Sequence, residues 1–184
     1  MIITTAYFDR SEKTIEGFFT LRTIERDDSD PSKLKIIKEF VKLPARSGQK
    51  GAEKTSWERT RSPIPWTRNA NVEAVKKNPS QFPECLWLWL RKVLQVGEWA
   101  GDKGIGEFRY ISSGLTDPTT IQSPSNPSLI RKVIGIHPEN NYPGSLGCLV
   151  LLVNTEEQRK KVLELQSYVK NLAKTTKLIR LEVI

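Results

Sequence analysis

The sequence predicts a mainly β domain with flanking helices, in which a C-terminal helix is followed by a closing strand. Segments near the N-terminus alternate apolar, β-branched or aromatic residues with polar ones, as half-buried strands do. Clusters of Asp, Ser, Pro and Gly separate such segments and predict turns. Of the 184 residues, 38% are hydrophobic, which is enough to bury a core without disulfides or metals. We therefore expect a single domain over residues 1–184.

The first three strands are predicted at residues 2–8, 14–24 and 35–43. The second contains a roughly alternating set of β-branched, aromatic and aliphatic side chains. A polar cluster at residues 27–31 ends it and predicts a turn. The third alternates apolar and charged side chains, which favours a strand, although a short helix also fits.

The next two segments are less regular. Residues 69–82 are polar and predict an irregular or briefly helical connection. The apolar run at residues 85–94 fits either a buried strand or a helix, because periodicity alone does not separate them. Pro83 suits a first helical position and Leu86 and Leu90 recur at helical spacing, so a helix is slightly favoured.

A turn, a strand and a long loop follow. Residues 101–106 predict a flexible turn and residues 105–112 a strand. Residues 113–127 are rich in Ser, Thr and Pro and predict no regular structure. A loop of this length beside a site would suit a lid or a specificity wall. Residues 129–137 predict a strand that carries Arg131.

The C-terminal part gives the clearest local pattern. Asn154 or Thr155 is expected to cap a helix, and Glu156 and Glu157 in its first turn complement the helix dipole. Residues 178–184 predict the closing strand. The helix carries one apolar stripe that is expected to pack on the sheet, formed by Val162, Leu165, Val169 and Leu172.

The composition limits the partners and the compartment. The formal net charge is +8, so the surface should attract polyanions. The basic residues are scattered among acidic ones and form no recognisable nucleic-acid motif, so a cell-envelope polymer fits at least as well. No apolar run is long enough to span a membrane, and no signal peptide is recognisable. We expect a soluble protein made in the cytoplasm, which reaches the cell envelope through lysis or dedicated secretion if its substrate lies there.

One stretch, residues 134–153, combines the residue types needed for nucleophilic catalysis. It holds His137, the single histidine, and Cys148, one of two cysteines. A loop rich in Pro, Asn and Gly joins them, and a continuous apolar strand follows Cys148. This layout suits a cysteine nucleophile with a histidine base, although a buried cysteine and a structural histidine would give the same pattern. Cys85, among large apolar neighbours, is expected to be inert.

A family resemblance rests on this stretch. His137, followed by Ser145-Leu146-Gly147-Cys148 and an apolar strand, resembles the catalytic signature of the L,D-transpeptidases (YkuD-like domains) that act on peptidoglycan. Leu146 stands where the family usually has a second histidine, Pro138 follows the base, and Val150 replaces an Arg or Asn. The chain thus looks like a divergent member of the shortened type found among phage proteins and secreted bacterial effectors.

A second, looser point of resemblance lies upstream. A Ser-Gly pair at residues 47–48 and an Ile-Pro turn within residues 61–66 resemble segments that shape the near wall of the site in that family. Taken alone, this part of the sequence is better explained as two proline-rich surface turns.

The resemblance implies a fold and a set of site residues. The fold would be a β-sandwich-like L,D-transpeptidase catalytic domain. Cys148 would be the nucleophile and His137 its base, and neither a metal nor an organic cofactor would be required. Support of the oxyanion or of the loop would come from Gly147, Ser145, Gly144 and Asn140, and substrate binding from Arg131 and Tyr142.

The reaction that the resemblance implies is acyl transfer on a peptidoglycan stem peptide. Cys148 would form a thioester, and an amine or water would then release it, giving L,D-transpeptidase or L,D-carboxypeptidase activity. The alternative is a catalytically silent binding module of the same fold that holds an anionic cell-envelope polymer. A nucleic-acid binder is the least supported hypothesis. The oligomeric state is left open by the sequence.

Overall fold

The computed structural model describes residues 1–53, 61–90, 109–116, 120–132, 134–139 and 147–184. Its strands are β1 (Ile2–Arg10), β2 (Glu16–Arg26), β3 (Leu34–Ser47), β4 (Leu86–Trp89), β5 (Arg109–Ser112), β6 (Thr120–Gln122), β7 (Ile130–Lys132), β8 (Gly135–Pro138), β9 (Leu149–Leu151) and β10 (Leu178–Val183). Its α-helices are α1 (Glu73–Lys77) and α2 (Glu156–Leu172), and a 3₁₀ turn spans Pro79–Gln81.

Eight of these strands close into a barrel in the order β1-β10-β4-β5-β8-β9-β3-β2. Most neighbours are antiparallel, but β1 pairs with β10 and β8 pairs with β9 in parallel. The mainly β class, the C-terminal helix and the closing strand are as the sequence predicts. The sheet closes on itself as a barrel and does not specifically form a sandwich, because β10 joins β1 to β4. Pairing between strands so distant in sequence leaves no local signal.

The N-terminal strands are confirmed: β1 and β3 are longer than predicted, and β2 lies two residues further along the chain. β3 continues past the predicted end at residue 43 and reaches Ser47, where the backbone turns at Gly48 with a φ of +83°. The extra residues matter for the site, because residues 45–47 pair with β9. A Cβ on Gly48 would lie 2.6 Å from the Pro63 nitrogen, so glycine is required at this turn.

The helix predicted within residues 85–94 is wrong where the structure describes it. Residues 86–89 form β4, between β10 and β5, and residues 91–94 lie outside the described residues. Leu86 and Leu88 are buried while Trp87 and Trp89 are half-buried, which is the two-residue period of a strand. The helical spacing was a coincidence of a short apolar run, and barrel closure decided the outcome.

Regular structure also occurs within the predicted loop at residues 113–127. β6 lies there and pairs with β7 as a separate two-stranded antiparallel sheet. Ile121 and Arg131 are register partners in this hairpin, and both side chains are buried. The predicted turn at residues 101–106 lies outside the described residues, whereas the strand predicted after it is present as β5.

The core fills the barrel and continues under α2. Thr155 caps this helix, as one of the two predicted residues, and the stripe residues Val162, Leu165 and Val169 are buried while Leu172 is partly buried. Tyr168 packs its ring 5.6 Å from that of Phe40 on β3. An apolar cavity of about 40 Å³ lies between α2 and the barrel. Its lining includes Phe19, Leu21, Leu88, Ile136, Leu151 and Leu165.

Candidate functional site

The candidate site lies on three neighbouring strands, β3, β9 and β8. His137 is the register partner of Val150, and Val150 is the partner of Arg46, so the three side chains form a row across one face. Ile136 and Leu149, their neighbours along the strands, point into the core on the other face.

Cys148 belongs to the same face as His137. It immediately precedes β9 and lies two residues before Val150, and residues two apart on a strand share a face. The thiol has a hydrogen bond with the Gly135 backbone, which agrees with the extension of the β8–β9 register. His137 and Cys148 are thus offset by about 6.5 Å along two adjacent strands about 4.8 Å apart. Parallel pairing of β8 and β9 brings together two residues that are eleven positions apart in the sequence.

His137 is held as a neutral imidazole with a defined tautomer. The side chain is buried, and Nδ1 lies 2.8 Å from the Pro138 carbonyl oxygen. Because a carbonyl only accepts hydrogen bonds, Nδ1 carries the proton and Nε2 is the basic nitrogen. Burial lowers the pKa of His137, the Pro138 carbonyl partly opposes this, and the charge of Arg46 lowers it further. At neutral pH the ring can therefore accept a proton.

The thiol of Cys148 is protonated at neutral pH. Burial raises its pKa, while the Gly135 backbone, the charge of Arg131 and the backbone N–H of Cys148 itself oppose the rise. The raised pKa of Cys148 and the lowered pKa of His137 favour the uncharged form of both side chains at neutral pH.

Arg46 has a second contact at the edge of this row. It forms an ion pair with Glu139, with 2.9 Å between Nη2 and Oε1, and both side chains are less than one-fifth exposed. The Glu139 N–H also donates to the Leu151 carbonyl, which continues the β8–β9 pairing beyond Pro138. The ion pair thus fixes the charge that acts on the imidazole of His137.

The hydroxyl of the buried Ser47 binds the peptide that precedes Cys148. The Ser47 hydroxyl donates to the Gly147 carbonyl at 3.0 Å and accepts from the Ile64 N–H at 2.9 Å. Since the carbonyl and the N–H of a trans peptide point in opposite directions, the Cys148 N–H points away from the Ser47 hydroxyl.

Gly147 adopts a conformation that other residues rarely allow. Its φ is +110°, and a Cβ there would lie 1.6 Å from Arg131 Nη2 and 2.9 Å from the Ser62 carbonyl oxygen. Arg131 is buried and donates from Nη1 to the Pro63 carbonyl at 2.9 Å and from Nη2 to the Ser62 carbonyl at 2.8 Å. The glycine therefore lets the guanidinium pack directly against the backbone beside Cys148.

The structure describes four of the residues that the sequence singled out, namely Cys148, His137, Gly147 and Arg131. Cys148 and His137 share one face of the sheet, and Arg131 lies against Gly147. The remaining four lie outside the described residues, namely Asn140, Tyr142, Gly144 and Ser145. Cys85 is buried near Arg180, and burial raises its pKa, as expected for an inert thiol.

Sequence reasoning missed the structural roles of Ser47, Arg46 and Ser62. The Ser-Gly pair at residues 47–48 was a usable signal for Ser47, whereas the other two contribute through strand register and a backbone carbonyl, which residue type does not reveal. Within the described ranges, no three His, Cys, Asp or Glu side chains are arranged to hold a metal ion.

Two further observations bear on identity. Among the described residues, no helix combines the length and apolar character needed to cross a membrane. Comparisons of the chain with models of protein families, with curated proteins and with solved structures gave no significant match. The fold and the site therefore define the molecule at the level of an eight-stranded barrel with a cysteine and a histidine on one face of adjacent parallel strands.

Proposed function

We propose that the chain is a cysteine acyltransferase or hydrolase of the L,D-transpeptidase type that acts on peptidoglycan stem peptides. The observation that supports the proposal is that Cys148, immediately before β9, and His137 on β8 share one face of the sheet, and that the Pro138 carbonyl holds the proton on Nδ1, so that Nε2 is the basic nitrogen. The motif resemblance supplies the substrate class.

The first half-reaction forms a thioester. His137 Nε2 takes the proton of the Cys148 thiol as sulfur attacks the carbonyl carbon at the L-centre of the stem diamino acid. The oxygen of the tetrahedral intermediate accepts from the Cys148 N–H, which Ser47 orients through the Gly147 carbonyl. The C–N bond then breaks, the D-amino acid leaves with the proton from His137, and the acyl group stays on sulfur.

The second half-reaction releases the enzyme. An amine of another stem, or water, gives its proton to His137 and attacks the thioester carbon. The C–S bond breaks and the proton returns to sulfur. An amine acceptor gives a cross-link, whereas water gives net removal of the D-amino acid. The balance requires no metal or redox partner.

The test uses purified disaccharide tetrapeptide and mass spectrometry of both product and protein. The wild type should remove the terminal D-amino acid or form dimers, and Cys148→Ala should do neither. Cys85→Ala is the matched control, because it removes the other buried thiol and should keep activity within about twofold. Turnover by Cys148→Ala, or the absence of product and acyl adduct with several stem peptides, would refute the enzymatic function.

A second candidate function is a binding module for an anionic cell-envelope polymer. The net charge of +8 favours it, because polyanions would be attracted to such a surface. Binding of this kind should weaken with added salt and be the same in wild type and Cys148→Ala. Cosedimentation with cell-wall polymer, measured for both proteins across a salt series, separates this function from the enzymatic one.

A further inference from the structure

Arg131 is a buried cation seated on backbone oxygens beside the nucleophile. Its guanidinium donates to the carbonyls of Ser62 and Pro63, and Nη2 occupies the space that a Cβ on Gly147 would need. The side chain comes from β7, in the hairpin outside the barrel, so a separate element delivers a positive charge to the residue before Cys148.

Two arginines act on the two proposed reacting groups, one on each. Arg131 acts on Cys148, and the thiol in turn favours the charged form of Arg131. Arg46 acts on His137 and is paired with Glu139.

Arg10 adds a further buried charge. It donates to the Ile64 and Glu53 carbonyls, lies over the ring of Trp66, and is repelled by Arg131. Burial lowers the pKa of Arg131 to about 10, so it stays charged at neutral pH.

Burial of a charge costs free energy, and the contacts of Arg131 with backbone carbonyls offset part of that cost. A thiolate on Cys148 would interact favourably with the same charge. Two of the five guanidinium N–H groups of Arg131 donate to the protein backbone.

We propose that Arg131 is a positioning residue whose fixed charge stabilises the thiolate of Cys148. Its contacts with the carbonyls of Ser62 and Pro63 and with the backbone of Gly147 hold that charge in place. The contribution to turnover rests on the proposed function. The ionisation of the thiol does not, because it is measured without substrate.

The experiment measures the pKa of Cys148 from the ultraviolet absorbance of the thiolate. Each protein is titrated beside its own Cys148→Ala version, so that the difference removes Cys85 and the tyrosines. The informative pair is Arg131→Lys and Arg131→Gln, which both donate hydrogen bonds but differ in charge. Lys132→Gln is the matched control, because it removes an exposed charge from the same strand.

We expect Arg131→Gln to raise the thiol pKa enough to lower the thiolate fraction at pH 7.5 by about threefold to tenfold. Arg131→Lys should stay within about twofold of the wild type even where it is less stable, and Lys132→Gln should not differ. An unchanged pKa in folded Arg131→Gln would overturn the proposal. If that variant does not fold, Arg131→Met takes its place, with circular dichroism as the check on folding.

Kinetics separate this role from substrate binding. If the wild type turns over stem peptide, loss of the charge should lower kcat with little change in KM, whereas a substrate clamp would raise KM. A shifted thiol pKa in a protein with no turnover would leave the inference standing while the proposed function fails.

Discussion

At the scale of single residues, the site depends on which groups burial leaves neutral. Burial lowers the pKa of His137 and raises that of Cys148, which favours the uncharged form of both side chains near pH 7. Pro138 contributes through its carbonyl, which fixes the tautomer of the preceding histidine. A proline at position 138 is thus compatible with a base at His137, because the hydrogen bond to Nδ1 uses the backbone oxygen of residue 138 and not its side chain.

Ser47→Ala tests the two hydrogen bonds of the Ser47 hydroxyl next to Cys148. The change removes one donor to the Gly147 carbonyl and one acceptor for the Ile64 N–H, all in a buried position. We expect the free energy of unfolding to fall by about 1–3 kcal/mol and turnover to fall more than KM changes. Urea denaturation and stem-peptide kinetics are the measurements.

The control for this variant is Ser80→Ala, at an exposed position in the 3₁₀ turn. It should change neither stability nor turnover measurably. Equal stability of Ser47→Ala and Ser80→Ala would contradict a supporting role for the Ser47 hydroxyl.

Among the secondary-structure elements, the residues of the candidate site lie on barrel strands and on the β6–β7 hairpin outside the barrel. β9 is short and fully buried between β3 and β8, so Cys148 is held at the start of a strand with no exposed edge. The β6–β7 hairpin adds Arg131 from outside the barrel. α2 closes the core beside β8 and β9 without contributing a reacting group.

Thr155→Ala tests how much the cap contributes to α2. Thr155 Oγ1 accepts from the Gln158 N–H at 3.1 Å, and Gln158 Oε1 accepts in return from the Thr155 N–H at 3.2 Å, which is a complete capping box. Loss of the hydroxyl should cost about 1 kcal/mol of unfolding free energy, measured by urea denaturation.

Thr175→Ala is a suitable comparison for the cap. Its hydroxyl donates to the Leu172 carbonyl at a long 3.4 Å from an exposed position, so its loss should cost much less. A loss of stability that is equal in the two variants would show that the capping box adds nothing specific to α2.

For the molecule as a whole, stability depends on pH through titratable groups whose pKa changes on folding. Hydrogen bonds from the side chain and backbone of Ser29 lower the pKa of Asp27, and Ser32 acts in the same way on Asp30. These carboxylates stabilise the fold above their ordinary pKa of 3.8 and lose that contribution as they are protonated.

We expect part of the acid destabilisation to come from His137 alone. Its pKa in the folded protein lies below the ordinary value of 6.5, so the unfolded chain binds the proton more readily. The contribution is complete above pH 6.5 and is lost as pH falls through the lowered pKa. Urea denaturation at closely spaced pH values between 7.5 and 5 should show the free energy of unfolding falling with pH.

His137→Gln provides the control, because it removes the titrating group at the same position. Its free energy of unfolding should depend less on pH over this interval than that of the wild type. Both proteins should still lose stability below about pH 4, where the carboxylates are protonated. Identical pH dependence of the two proteins between pH 7.5 and 5 would contradict the shifted pKa of His137.

The local features of this protein follow from the sequence alone. The alternation in β1 and β2, the polar turn between β2 and β3, and the cap and stripe of α2 depend on residues near one another in the chain, so their periodicity and turn chemistry were readable. The sequence also singled out His137 and Cys148, because residue type and order are visible without a fold.

The pairing of the strands and the contacts around Cys148 depend on the folded chain as a whole. β4 became a strand because β10 and β5 lie on either side of it, and the sheet closed into a barrel through pairings between distant segments. Ser47 contacts Gly147, which is 100 residues away in the sequence. Arg131 contacts the same backbone from the β6–β7 hairpin. Such contacts depend on register and burial, which are properties of the folded chain, and no local pattern encodes them.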